Sequence, residues 1–454
     1  MSVIPYATQQ YRRYDLPIMR LVNMYAEQSP TSRAGVALLP RPALSAYATV
    51  GSGPIRGIYQ QAGALGGVMF VVSGTELYAG ATLLGTIPGT GKVSMTASAT
   101  QLLIANGTGL YLTNGTTLST VAFPDGAGVS SVAYINGYFL ATRTDTQRFY
   151  WSAILDGSSW DALDFASAER TPDDLVAVWI VSDQLWLFGE VSTEIWITTG
   201  DLDIPFQRVD GRLFDVGCIN KDTIAKLDNT ILWEGNDFKV YRGDSVPMRV
   251  SNFSVEEATQ DSTSPSAWTY PWQGNLFYAL ATSRGTQVLN IASGEWHEQA
   301  SYDRTNWRAN MGVFANGIVL AGDDETSQIW KLVYDEYSDN GVTIERRWTM
   351  MIDQAGHVDN LMLDASTGRE PVLGIDPLVE CRLSRDGGET YGGYRQASIG
   401  QQGDFRKRIV WKRWGIIDDE GGAFDFRITD ATPWRVSSIR VNEPLGGRGR
   451  GSNG

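Results

Sequence analysis

The strongest constraint in this sequence is a short phrase that the chain repeats. An apolar strand is followed by a turn containing Gly, and then by another short strand. The phrase occurs at residues 67–80, 101–118, 132–142, 178–189, 228–243, 272–296 and 312–333. Its copies start on the order of 40 residues apart, which is the period of propeller blades. The stretch from Asp183 to Glu257 shows the pattern most plainly. Leu185, Leu187 and Gly189 alternate with Trp186 and Phe188, and Ile195 and Ile197 flank Trp196. Thr230 to Trp233 and Phe238 to Tyr241 make two further strands, and Gly200-Asp201, Asp210-Gly211, Gly235 to Asp237 and Gly243-Asp244 supply the turns. Strand and tight turn in alternation make an antiparallel meander. No helical period is visible in this stretch, and none elsewhere is strong enough to predict a helix.

This pattern predicts an all-β chain: a β-propeller of six or seven blades over residues 55–344, followed by a small β-sandwich over residues 345–443. In the second region Ile409, Trp411 and Arg413 alternate with Val410, Lys412 and Trp414, as a half-buried strand requires. Residues 1–54 read as an extended lead-in, because Pro5, Pro17, Pro30, Pro40 and Pro42 oppose a long helix. A lead-in of this kind supplies the strand that closes a ring of blades. Residues 444–454, rich in Gly and Arg, are expected to be disordered.

Charge narrows the functions. The 454 residues carry 37 basic and 51 acidic side chains, a formal net charge of −14. Residues 345–454 hold 16 of each sign, so the whole excess lies before residue 345. An acidic domain is poorly suited to gripping a phosphate backbone and well suited to letting one pass. The two cysteines, Cys218 and Cys381, form no disulfide framework and suggest a reducing compartment. No signal peptide and no membrane span are expected, since no apolar run reaches the necessary length.

Residues that carry chemistry are scarce. Ser384-Arg385-Asp386-Gly387-Gly388-Glu389-Thr390-Tyr391 fits an Asp-box pattern in which Ser384, Asp386, Gly388, Thr390 and Tyr391 are the defining positions. Asp386 is expected to accept backbone N–H groups across the turn and Tyr391 to pack beneath it, a device of structure rather than catalysis. His297 and His357 have no ligand-like neighbours, and Gly89-Thr90-Gly91-Lys92 lacks the rest of a phosphate loop. Asp323-Asp324-Glu325 and Asp418-Asp419-Glu420 read as solvated loops. Arg406, Lys407, Arg408, Lys412 and Arg413 form the one basic cluster; on an extended strand they would fall on both faces, paired with acids of this chain or of a partner. Asn106, Asn114 and Asn252 open sequons that carry no weight without secretion. We expect no catalytic, cofactor or metal site.

An ordered series of segments resembles the phage stabilisation proteins of short-tailed phages, the packaged-DNA stabilisation or tail nozzle family. The segments are RLVNMYAEQSP (20–30), LLPRPAL (38–44), LWLFGEVSTEIW (185–196), VGCINKDTIAKLDNTILWEGND (216–237), GEWHEQASYD (294–303), DNGVTIERR (339–347), LSRDGGETYG (383–392), GDFRKRIVWKRWG (403–415) and FRITDATPWRV (426–436). The resemblance implies a virion protein of the tail, assembled in the host cytoplasm as a homohexamer. It implies a nozzle that extends the channel of the portal and its adaptor ring, retains packaged DNA and passes it at ejection without sequence-specific binding. A tail needle or plug and tailspikes or fibres are the further implied partners. It brings no catalytic residues, cofactor or membrane span. The alternatives are a sialidase-like or polysaccharide-depolymerising propeller enzyme, and a glycan-binding propeller.

Overall fold

The computed structural model describes residues 19–29, 35–168, 172–352, 355–417 and 421–442. Two compact units result. Of the described residues, one comprises those within 44–292 and 304–332, and the other those within 1–43, 293–303 and 333–454.

The first unit is a β-propeller. Its first five blades are consecutive four-stranded antiparallel sheets. They run over Ile55–Tyr59 to Thr82–Thr86, Ser94–Ala97 to Leu118–Val121, Val129–Ile135 to Asp156–Ser167, Leu175–Val181 to Phe206–Phe214, and Ala225–Leu227 to Pro247–Arg249. The sixth blade contributes Ser266–Trp272, Asn275–Thr282 and Gly285–Asn290 to this unit. In the seventh, Ala309–Ala315, Ile318–Asp323 and Gln328–Val333 are joined by Ala43–Thr49 as the fourth strand. The Gln328 side-chain amide donates to the Ala48 carbonyl, and the Val50 amide to that of Ser327. A strand from near the start of the chain thus completes the sheet from the end of the propeller, which removes an exposed edge.

Local chemistry sets the hairpins. Asn136-Gly137 and Asn316-Gly317 join the first two strands of their blades, and all four residues have positive φ. A two-residue turn of this type matches the twist of its strands, and Asn and Gly tolerate the left-handed conformation. Ser182 and Asp183 make the same turn with φ of 48° and 60° and without Gly.

Apolar side chains fill the gaps between blades. Leu103, Leu112, Val132 and Phe139 join the second blade to the third, and Phe149, Trp151, Trp196 and Phe206 the third to the fourth. Trp186, Phe188, Ile231 and Trp233 join the fourth to the fifth. Ile55 and Val71 of the first blade share one cluster with Met311, Leu320 and Ile329 of the seventh, so the ring closes on apolar packing. Asp183 to Glu257 therefore spans three strands of the fourth blade and the whole fifth.

One helix departs from the expectation. Phe253–Gln260 is α-helical, and the Asn252 side chain caps it by accepting the Val255 amide at 3.0 Å. Eight residues are two turns, too few for a period to stand out, and the local signal is the Asn252 cap, which also opens a sequon.

The second unit is a β-sandwich. One sheet runs Glu295–Gln299, Leu21–Val22, Arg346–Ile352, Gly422–Ile428, Leu378–Ser384, Arg395–Ser398; the other runs Met24–Gln28, Val36–Pro40, Val436–Val441, Gly356–Ala365, Ile409–Ile417. Their facing sides form a single core that includes Leu38, Trp348, Leu361, Trp411, Phe424 and Phe426. Trp348 stacks on Phe426 with ring centroids 5.0 Å apart. Chain order places 1–54 before a propeller and the sandwich after residue 344; compactness instead groups Leu21–Val22, Met24–Gln28, Val36–Pro40 and Glu295–Gln299 with the sandwich. The reason is pairing: Met24–Gln28 is zipped to Val36–Pro40, which meets Val436–Val441.

Strict alternation fails in Ile409–Ile417. Trp411 and Trp414 are both buried, and Lys412 and Arg413 between them are both exposed. The register slips opposite Val358 and Asn360, and Arg413 has φ of 62°. This is a β-bulge, which turns two successive side chains toward one face. The expected division of these residues between two faces is therefore corrected.

Candidate functional site

The first strand of every blade faces the propeller axis. Together they enclose a tunnel of about 570 Å³. Tyr59, Tyr134, Trp179 and Val313 present half-buried apolar surface to it. Its charged lining is Arg56, Lys92, Lys221, Lys226 and Asp222. Lys92 Nζ donates to the Asn310 carbonyl at 2.7 Å. Lys221 Nζ donates to Asp222 Oδ1 at 2.6 Å and reaches the Lys92 carbonyl at 3.5 Å. Burial lowers the Lys92 pKa to about 8, against the opposing pull of Asp222. The Arg56 guanidinium spans the carbonyls of Gly91, Gly74, Ile87 and Pro88 at 2.7 to 3.2 Å, and so braces the loop that carries Lys92. No sequence pattern marks these lysines. Their common feature is a place on or just before the innermost strand of a blade, visible only once the blades are assigned.

The Asp-box residues form one hairpin turn in the sandwich unit. Ser384 Oγ donates to Asp386 Oδ1 at 2.5 Å and accepts the Gly388 amide at 2.8 Å. Asp386 accepts the Thr390 amide at 2.9 Å and the Thr390 hydroxyl. These bonds hold the Asp386 carboxyl well below the usual range. Gly388 has φ of +104°, and a Cβ there would come within 3.4 Å of the Tyr391 hydroxyl. Tyr391 lies under the Arg382 guanidinium, 4.5 Å from its ring centre, and Tyr394 sits at the same distance. Arg382 and Arg347 both donate to the buried Asp425 at 2.7 Å.

The basic cluster is rearranged. Arg406, Lys407 and Arg408 precede the strand and, with Arg440, line a cleft of about 290 Å³ beside the exposed Phe405. Lys407 lies 3.8 Å from Asp404, and Arg440 donates to Asp364 at 2.6 Å.

One expected surface carboxylate is interior. Asp323 has no exposed surface; it accepts Arg308 and Trp330 Nε1 at 2.7 and 2.8 Å and the amides of Glu325 and Thr326. Asp324 pairs with Arg304. The solvated-loop expectation is therefore corrected for Asp323, because a carboxylate here satisfies a strand end and its turn; Asp418 to Glu420 lie outside the described residues. His297 is buried and its pKa falls to about 3, whereas His357 is exposed. Cys218 and Cys381 are both free and buried, and burial pushes the Cys218 thiol up to about 12. Asn106 and Asn114 accept backbone amides two and three residues ahead, as turn formers. Among the described residues, no group of three or more His, Cys, Asp or Glu side chains is placed to hold a metal ion, and no helix is long and apolar enough to cross a membrane.

Two family models match the chain in order. Residues 8–337 match the model described as bacteriophage P22 Gp10, beta-propeller, and residues 343–443 match that described as bacteriophage P22 Gp10, beta-sandwich. The chain belongs to the bacteriophage P22 Gp10 family. It is thus a phage structural protein, as the resemblance read from its segments implied, and the two P22 Gp10 models correspond to the two β architectures described above. No curated protein matches it. Among solved structures, the computationally designed Ika8 protein is 12% identical with a TM-score of 0.39, and the alignment covers 69% of this chain and 100% of that one. BamB from Moraxella catarrhalis is 11% identical with a TM-score of 0.39, over 74% and 97%. BBS1N, solved in complex with ARL6DN, is 9% identical with a TM-score of 0.41, over 64% and 96%.

Proposed function

We propose that this protein is the nozzle of a phage tail. It extends the channel of the portal and its adaptor ring, retains packaged DNA and passes it at ejection. The observation that carries this reading is the ordered match of both P22 Gp10 models over residues 8–337 and 343–443. Three physical features support it. The ring of blades closes on itself, so few strand edges are left to pair wrongly at the concentration of an assembly site. The charge excess of −14 lies before residue 345, which suits a passage that DNA crosses without sticking. The Asp-box turn is bonded internally through Ser384, Asp386 and Thr390, as a fold device is.

In this reading the protein acts as a homohexamer in the virion tail, assembled in the host cytoplasm. It docks on the adaptor ring, carries a needle or plug, and is surrounded by tailspikes or fibres. Acidic side chains of residues 55–344 line the lumen of the hexamer, which is distinct from the axis of any one propeller, and no reaction is catalysed.

The test is reconstitution. Purified protein is added to adaptor-capped, DNA-filled capsids and imaged by negative stain, with retained DNA measured by nuclease protection. Added density at the tail vertex and retained DNA are expected. Absence of binding, with turnover of host polysaccharide, would replace the nozzle by a depolymerase; binding to glycans alone would replace it by a lectin.

A further inference from the structure

The propeller tunnel contradicts the charge of the chain around it. Residues before 345 carry 35 acidic and 21 basic side chains, yet the charged lining of the tunnel is four cations and one carboxylate. That carboxylate, Asp222, is engaged by Lys221. Arg56 is spent on four backbone carbonyls, but its charge remains at the wall. Lys92 donates to a carbonyl, which balances no charge.

Cations gathered in this way repel one another, and burial makes the repulsion stronger than in water. Around the lysines, Tyr59, Tyr134 and Trp179 offer flat, half-buried surface. A volume of about 570 Å³ lies in the range of small-molecule sites, and its wall mixes apolar and polar side chains. It cannot admit a duplex.

We propose that the axial tunnel of the propeller is a binding site for a small organic anion, a phosphate monoester with an aromatic or other flat apolar body. Lys92, Lys221 and Lys226 receive the phosphate as point charges. Tyr134 and Trp179 receive the body. The site belongs to one propeller and is independent of any role in the tail.

The test uses the full chain and two probes, phenyl phosphate and inorganic phosphate, titrated by calorimetry. Saturable binding of one phenyl phosphate per chain is expected, with inorganic phosphate roughly tenfold weaker because it lacks the ring. Lys92→Met and Lys221→Met are each expected to weaken phenyl phosphate roughly tenfold or more, the loss of one charge-assisted contact. Lys226→Met tests the same site at an exposed position where folding is not at risk. Circular dichroism and thermal melting report whether each variant is folded. No saturable binding by the wild type, or equal binding by all folded variants, overturns the proposal. Equal affinity for the two probes overturns the organic half of it and leaves an inorganic anion site.

Discussion

Arg41 and Asp339 are 298 positions apart and meet in a two-pronged ion pair, with Nη1–Oδ1 at 3.0 Å and Nη2–Oδ2 at 2.6 Å. Both residues are buried, and Asn23 accepts from Arg41 Nε at 2.7 Å. Within the sandwich unit the pair ties the strand-rich start of the chain to the segment that follows the propeller. Removing one partner leaves the other charge buried. Arg41→Met alone is expected to cost about 3 to 5 kcal/mol, and Arg41→Met with Asp339→Leu much less than two such losses. Urea unfolding of the three variants measures this; additive losses would show that the pair is not coupled.

Glu234 sits on the second strand of the fifth blade with about 1% of its surface exposed. Burial raises its pKa to about 8, and among the described residues its Oε2 has no hydrogen-bond partner. Between the unfolded value near 4.5 and the folded value near 8 the native state binds more protons than the unfolded one. Its contribution is therefore present below pH 4.5 and lost as pH rises toward 8. Glu234→Gln is expected to match wild type at low pH and to gain stability at pH 8, at ~1.4 kcal/mol per pKa unit removed. Melting temperatures of both proteins across pH 4.5 to 8.5 give the answer, and parallel curves would contradict it.

Gly243 lets two tryptophans close over a strand. A Cβ there would stand 2.6 Å from Trp186 and 2.9 Å from Trp233. Their rings meet edge to face at 6.1 Å in the core between the fourth and fifth blades. Gly243→Ala is expected to destabilise the propeller by about 1 to 3 kcal/mol through overpacking. Trp fluorescence during denaturation is the measurement, since both reporters line the clash; an unchanged midpoint would mean that the blades yield freely.

Asp386 holds its turn through Ser384 and Thr390. Asp386→Ala is expected to lower stability by about 1 kcal/mol, the net worth of a few exposed hydrogen bonds. Because the folded carboxyl is depressed, its contribution is present at neutral pH and fades as pH falls below the carboxylate range. The difference between wild type and variant should therefore shrink in acid, as read by chemical denaturation at pH 7 and pH 3.

Much of the architecture is written locally. Asn136-Gly137 and Asn316-Gly317 announce their hairpins, and the alternation through Leu185 to Phe188 announces a strand with two buried faces. The short helix at Phe253–Gln260 is not announced, because two turns cannot establish a period. Lys412 and Arg413 mislead, because a bulge is decided by the partner strand. Asp323 misleads for a related reason: its composition is that of a loop, and its burial depends on Arg308 and Trp330, which arrive from elsewhere in the blade.

The all-β class, the repeated blade unit, the family and the acidic bias of the first 344 residues follow from the linear order of residues. These are local or additive properties, so they survive without coordinates. Tertiary structure decided which strands complete which sheet, as with Ala43–Thr49 beside Gln328–Val333 and with Met24–Gln28 and Val36–Pro40 within the sandwich. It also decided that Lys92, Lys221 and Lys226, drawn from different turns of the chain, face one tunnel. Closing a ring brings together residues that sequence distance separates, and only the closed ring fixes which charges share one cavity.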